Sequence, residues 1–283
     1  MSEAIHHPGP AAAERWQAVP ARAHPLTVTL PGGARFGDAV AAALAAEGFE
    51  AGYLRLADVA MSRLNYVIPA PAPGDGRAAW YSSSRSFDGE TRIRSAGVHL
   101  GRREGRAFTH CHGIWCAEDQ AMAMGHLLPD ESVLAEDAVA IGWGIEGAMF
   151  ETADDPETRF PLFAPRAAGV AGTEGQAAWL VRLAPNVDPA AAIAEIAERE
   201  GIGAARIEGI GSLVRPRFAD GTELDSYATE MLVEAGQVAD GHARIDARCV
   251  GFDGGHAEGM LAGGNAVCVT AEILLIEDAP LRA

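Results

Sequence analysis

The sequence predicts an α+β fold: two tandem domains of one kind, each a largely antiparallel sheet with a helix laid against it. Three observations predict it. A histidine-bearing segment recurs at constant internal spacing, an amphipathic helix precedes each recurrence, and strand-like alternation fills most of the remaining chain. With 283 residues, 48% of them hydrophobic, the chain is long enough for two domains that each bury a core.

Residues 1–23 read as an N-terminal tail or a strap over the neighbouring domain. They begin MSEAIHHPGPAAAERW, without a basic start and apolar run, so no signal peptide is expected. The first domain is placed at 24–148. Its opening, PLTVTLPGGARFGDAVAAALAAEGF (25–49), is a strand, a turn and a helix with apolar residues at helical spacing. The strand VAMSRLNYV (59–67) follows, and then PAPAPGDGRAAWYSSSR (69–85), rich in Pro, Gly and Ser, which suits an insertion. Residues 149–174 read as a linker. The second domain, 175–280, repeats the plan: WLVRLAPNVDPAAAIAEIAEREGI (179–202) gives a strand, Asp188 as N-cap, Pro189 at the first helical position and an Ala-rich helix. GIGSLVRPRF (209–218), GHARIDARC (241–249) and AVCVTAEILLI (266–276) are its strands.

Charge excludes several functions. The net charge is −17, all 22 basic residues are Arg, and Lys does not occur. Schiff-base chemistry and a P-loop lysine are therefore absent. An acidic surface also opposes nucleic-acid binding, which draws its strength from clustered cations. The four cysteines, Cys111, Cys116, Cys249 and Cys268, form no CxxC pair and read as reduced, mostly buried thiols. No apolar run approaches the ~20 residues of a membrane span, and a cytoplasmic protein is expected.

The chemistry concentrates in histidines. On a strand, residues i and i+2 share a face, so His110 and His112 point together while Cys111 faces the other way. The thirteen residues up to His126 suffice for a turn and a returning strand, which brings the third imidazole beside the first two. Three neutral imidazoles without an obvious fourth ligand suit an open site for a divalent ion, with zinc favoured over Mg²⁺ or Ca²⁺. At a shift of 130 residues, His112 and His126 fall on His242 and His256, and His110 falls on Asp240. Asp240, His242 and His256 are thus expected to form a second, weaker metal site. Of nine histidines, five fall in these two triads.

The segments FTHCHGIW…GH and GHARIDARC…GGH, with GIGSL (209–213) and VTAEI, resemble the PPC (plants and prokaryotes conserved) domain. The resemblance covers most of both halves. It implies a domain that assembles as a trimer, with a three-histidine metal site in bacterial and archaeal members and nuclear assembly behind an AT-hook in plant members. MSRLN stands where the Gly-Ile-Gly-Ser turn belongs in the first half, and Asp240 replaces a histidine in the second.

An ion becomes catalytic only with an acid or base in reach. Glu118, Asp119 and Glu136 are the sequence candidates in the first half, each of which otherwise reads as a solvated loop or strand-end acid. Asp253, Glu258 and Glu272 are the candidates in the second half. Arg63 and Arg215 are candidates for holding a substrate carboxylate. Together these features point to a metal-binding homo-oligomer whose open site binds or transforms a small anionic molecule by hydrolytic, lyase or isomerase chemistry. The alternative is a non-enzymatic regulatory or assembly module of the PPC type, including a DNA-associated one, against which the charge and the lack of Lys count.

Overall fold

The structure is a computed structural model that describes residues 4–87, 89–118 and 120–278. The first half runs β1 (Trp16–Leu30), α1 (Phe36–Ala46), β2 (Gly52–Arg63), the short β3 (Asn65–Val67), β4 (Pro69–Ala70), β5 (Trp80–Tyr81) and β6 (Arg85–Ser86). It continues with β7 (Thr91–Arg103), β8 (Arg106–Ala117), β9 (Ala123–Leu127), β10 (Val133–Leu134), β11 (Ala138–Asp154) and β12 (Pro161–Ala168). The second half runs β13 (Gln176–Leu183), α2 (Pro189–Glu200), β14 (Ala204–Val214), β15 (Thr229–Ala239), β16 (His242–Val250), β17 (His256–Met260) and β18 (Ala266–Glu277).

The two halves pair their strands in the same order. Outward from β1 come β11, β2, β7, β8 and β9; outward from β13 come β18, β14, β15, β16 and β17. β1 and β13 then pair antiparallel, Trp16 opposite Leu183 through Ala23 opposite Gln176, which fuses both halves into one 16-stranded sheet. This corrects the α+β expectation. The chain is mostly antiparallel sheet, with 56% of residues in strands and 8% helical. Helix periodicity is right for α1 and α2, but each spans only 11 or 12 residues. Nearly every other segment finds a strand partner, including stretches read as insertion or linker.

The local signals act as physics requires. Asp188 accepts a hydrogen bond from the Ala191 amide, Pro189 opens α2, and Gly201 ends it in the left-handed conformation at φ 73°. Phe36, Val40 and Leu44 of α1 join the first core with Leu54, Leu56 and Trp115. Ile193 and Ile196 of α2 join the second with Val181, Ile207 and Ile273. A third cluster lies between the halves and contains Tyr53, Phe150, Phe163, Leu180 and Leu274.

Residues read as connections hold these layers together. From Trp16 onward the expected tail is already β1. Before it, Ile5 is buried and exchanges hydrogen bonds with the Asn186 side chain, and Arg15 makes two bonds to the Glu157 carboxylate. Residues 149–174 contain the end of β11 and all of β12, which pair from Gly147 opposite Ala168 to Asp154 opposite Pro161.

Buried polar groups fix how the halves meet. Arg55 Nε donates to Glu208 at 2.5 Å and its Nη2 donates to the Val233 carbonyl at 3.0 Å. Ser95 donates to Glu234 at 2.9 Å. Because the Glu208 side chain is only 3% exposed, removing its partner leaves a buried charge unpaired. Arg55→Met is therefore expected to cost about 3 kcal/mol in urea unfolding, and the double change Arg55→Met/Glu208→Leu to recover most of it. An equal loss in both variants would show that the pair does not hold this interface.

Candidate metal centre

β8 and β9 pair with His112 directly opposite His126, and His110 lies two residues back on the same face of β8. The alternation read from THCHGIW thus holds: Cys111 turns into the first core while both imidazoles turn away from it. Ring centroids lie 4.8 Å apart for His110 and His112, 4.8 Å for His110 and His126, and 5.4 Å for His112 and His126. One ligand atom from each of the three falls within 4.8 Å of the others.

The second half determines which nitrogens face the centre. Glu272 Oε2 accepts a hydrogen bond from His110 Nδ1 at 2.6 Å, and the Met231 carbonyl accepts one from His112 Nδ1 at 2.9 Å. A carboxylate and a carbonyl can only accept here, so each ring carries its proton on Nδ1 and presents a lone pair on Nε2. Those two Nε2 atoms are 3.1 Å apart. Two lone pairs at that distance repel unless a cation or a proton lies between them. His126 Nδ1 is buried with no hydrogen-bond partner. The donors therefore fit a divalent ion of the zinc type: imidazole nitrogens from His110, His112 and His126, with His110 oriented by a carboxylate in the usual outer-shell arrangement.

Glu230, on β15, completes the polar surroundings. Its Oε2 lies 3.2 Å from His112 Nε2 and it lines the adjoining cavity. Burial pushes its carboxyl up to about 8, with Glu272 adding to the shift and His110 opposing it. Burial and the neighbouring imidazoles hold His112 and His126 well below the ordinary histidine range. For His110 burial also lowers the pKa, but Glu272 outweighs it and the net shift is upward. A lone proton on His110 is thus the metal-free alternative.

The cavity has a volume of about 240 Å³. Trp80 and Tyr81 of the insertion, Phe160 and Phe163 around β12, and Ser212, Thr229 and Glu272 of the second half all line it.

The remaining sequence candidates lie elsewhere. Glu118 and Glu136 are exposed and do not line the cavity, and Asp119 lies outside the described residues. Arg63 donates to the Glu131 carbonyl and Arg215 pairs with Asp225 at 3.1 Å, both outside it. Asp240, His242 and His256 do not converge. Asp240 occupies the β15–β16 turn at φ 52°, His242 starts β16, and His256 pairs with Val250 at the far end of that strand, roughly 25 Å away by strand rise. The turns explain the error. Glu104-Gly105 and Asp240-Gly241 are matching left-handed pairs, so Arg106, not His112, corresponds to His242. His110 and His112 then fall on Asp246 and Arg248, and His126 on Glu258, the residue opposite Arg248. Where the first half holds facing imidazoles, the second holds an Arg248–Glu258 ion pair.

No family model matches the chain, and no curated protein matches it. Among solved structures, a PPC protein from Pyrococcus horikoshii is similar at 14% identity and TM-score 0.38, over 54% of this chain and 97% of that one. Half of this chain is similar in fold to a PPC protein. A metal-containing protein from Archaeoglobus fulgidus is similar at 17% identity and TM-score 0.39, over 50% of this chain and 94% of that one. So is a Ralstonia eutropha protein whose name proposes DNA binding, at 14% identity and TM-score 0.39, over 49% and 89%. Glu230 and Glu272 are the residues beside the centre hardest to assign from sequence. Glu272 is visible in the VTAEI segment but pairs there with the wrong triad, and Glu230 carries no spacing signal.

Glu272→Gln is expected to lower Zn²⁺ affinity about 10–100-fold in a competitive chelator titration, because the amide accepts poorly and leaves the His110 tautomer free. Ion binding must also displace the proton that Glu272 favours on His110. Affinity should therefore rise with pH through the raised His110 pKa, with proton release visible by calorimetry in buffers of different ionisation enthalpy. A pH-independent affinity would contradict the tautomer assignment.

Proposed function

We propose that the protein is a metal-dependent, PPC-like protein whose His110–His112–His126 centre, formed between two tandem halves, binds or transforms a small molecule held in the adjoining cavity. The observation that carries this reading is the pair of Nε2 lone pairs 3.1 Å apart, each fixed by an acceptor on its Nδ1. When bound there, a divalent ion such as zinc supplies Lewis acidity toward a ligand's carbonyl or hydroxyl oxygen. The chain's own groups do the rest: Glu272 orients His110, the Met231 carbonyl orients His112, and Glu230 stands beside the centre on the cavity side. Glu230 thereby takes the acid–base role expected of Glu118 or Glu136.

We also propose self-association. In both halves the strand pairing aligns Leu30 with Ala138 and Leu183 with Ala271, so Val139 and Ile141 of β11 correspond to Glu272 and Leu274 of β18. Glu272 and Leu274 are covered by the first half, whereas Val139 and Ile141 remain 61% and 57% exposed. A second copy of the chain is the expected cover, and light scattering that returns a monomer near 29.5 kDa would oppose it.

Metal analysis of the purified protein tests the central claim. One ion per chain is expected in the natural protein and in His256→Ala, and none in His112→Ala. Stoichiometric metal in His112→Ala would overturn the assignment, as would its loss in His256→Ala alone.

A further inference from the structure

The walls of the cavity say what kind of molecule would reach the centre. This inference rests on the metal-centre reading and adds the ligand class. Trp80 stacks on Phe160 with centroids 5.2 Å apart, Phe108 meets Phe163 edge-on at 5.7 Å, and the Tyr81 ring lies 5.4 Å from His126. All of them line the same space. At about 240 Å³ it has room for a small aromatic molecule.

The charges oppose an anion. The acidic groups beside the three imidazoles are Glu230 and Glu272, so a negative group would enter a buried site next to carboxyls, with the divalent ion as its counter-charge. The cavity has one guanidinium, Arg103, which is exposed and lies over the Phe108 ring at 5.5 Å. The polar wall is largely committed to the protein itself: Ser212 Oγ bonds the backbone of Thr270 and Val269, and Thr229 Oγ1 donates to the Leu213 carbonyl. Two further lining residues, Thr152 and Thr270, have buried hydroxyls without a hydrogen-bond partner.

We propose that the cavity takes a small uncharged molecule with a flat apolar body and one donor atom directed at His110, His112 and His126. The aromatic walls hold the body, and the centre takes the donor. This replaces the small anion expected from sequence, whose reader arginines, Arg63 and Arg215, lie outside the cavity.

The test uses the full-length protein loaded with Co²⁺, whose visible absorption reports ligands at the centre. The probes are 4-phenylimidazole, imidazole and benzoate. Expected is 4-phenylimidazole binding about tenfold more tightly than imidazole, through burial of its phenyl ring, and more tightly than benzoate. Phe163→Ala should erase most of the tenfold preference. Should that variant fail to fold, Trp80→Ala, at a more exposed wall position, serves the same purpose. Equal affinities for the two imidazoles, tighter benzoate, or an undiminished preference in the folded variant would each overturn the ligand class. Protein that takes up no Co²⁺ at the histidines would overturn the metal reading itself and the ligand class with it. Loaded protein without the aromatic preference overturns the ligand class alone.

Discussion

Two imidazole nitrogens forced to face each other are the constraint on which this site depends. Neither His110 nor His112 would hold its Nε2 lone pair toward the other if its ring could turn. Glu272 and the Met231 carbonyl prevent that, and both acceptors belong to the second half of the chain. The three imidazoles are thus local to one hairpin, whereas the orientation of His110 and His112 is imposed from more than a hundred residues away in sequence. A centre built this way exists only when the halves are docked, which ties its chemistry to the buried Arg55–Glu208 pair and the third core cluster.

The two halves share a strand order but not a site. Their equivalence is set by the β-turns at Glu104-Gly105 and Asp240-Gly241, where left-handed backbone leaves little freedom of register. Matched on those turns, the second half places Arg248 opposite Glu258 where imidazoles face each other in the first. A guanidinium beside a carboxylate satisfies itself and has no lone pair to offer a cation. The second half contributes instead through Glu230, Glu272 and Met231, as the partner surface of the first.

Connections supply the cavity. The insertion brings Trp80 and Tyr81, and the stretch between the halves brings Phe160 and Phe163, so the segments least patterned in sequence form the apolar walls. This agrees with the general tendency of loops on a rigid sheet to carry recognition while the sheet carries position. Further up the chain, the residues before β1 are anchored by Ile5 on Asn186 and by Arg15 on Glu157.

By itself, the sequence determined what short-range physics determines. It placed α2 through Asp188 and Pro189, put His110 and His112 on one face of a strand, and brought His126 back beside them. It also carried the recurrence of the strand plan and the exclusion of lysine chemistry. Only the tertiary structure decided the rest. The α+β reading gave way because edge pairing between β1 and β13, and the strands within the connections, are non-local bonds that no periodicity encodes. The second triad gave way because a constant spacing of histidines fixes no register: side chains meet through the hydrogen-bond ladder, and the ladder puts His242 and His256 at opposite ends of β16. Glu230 came to stand beside the imidazoles through docking of one sheet face on another, a contact whose only trace in sequence is an ordinary acid beside a methionine.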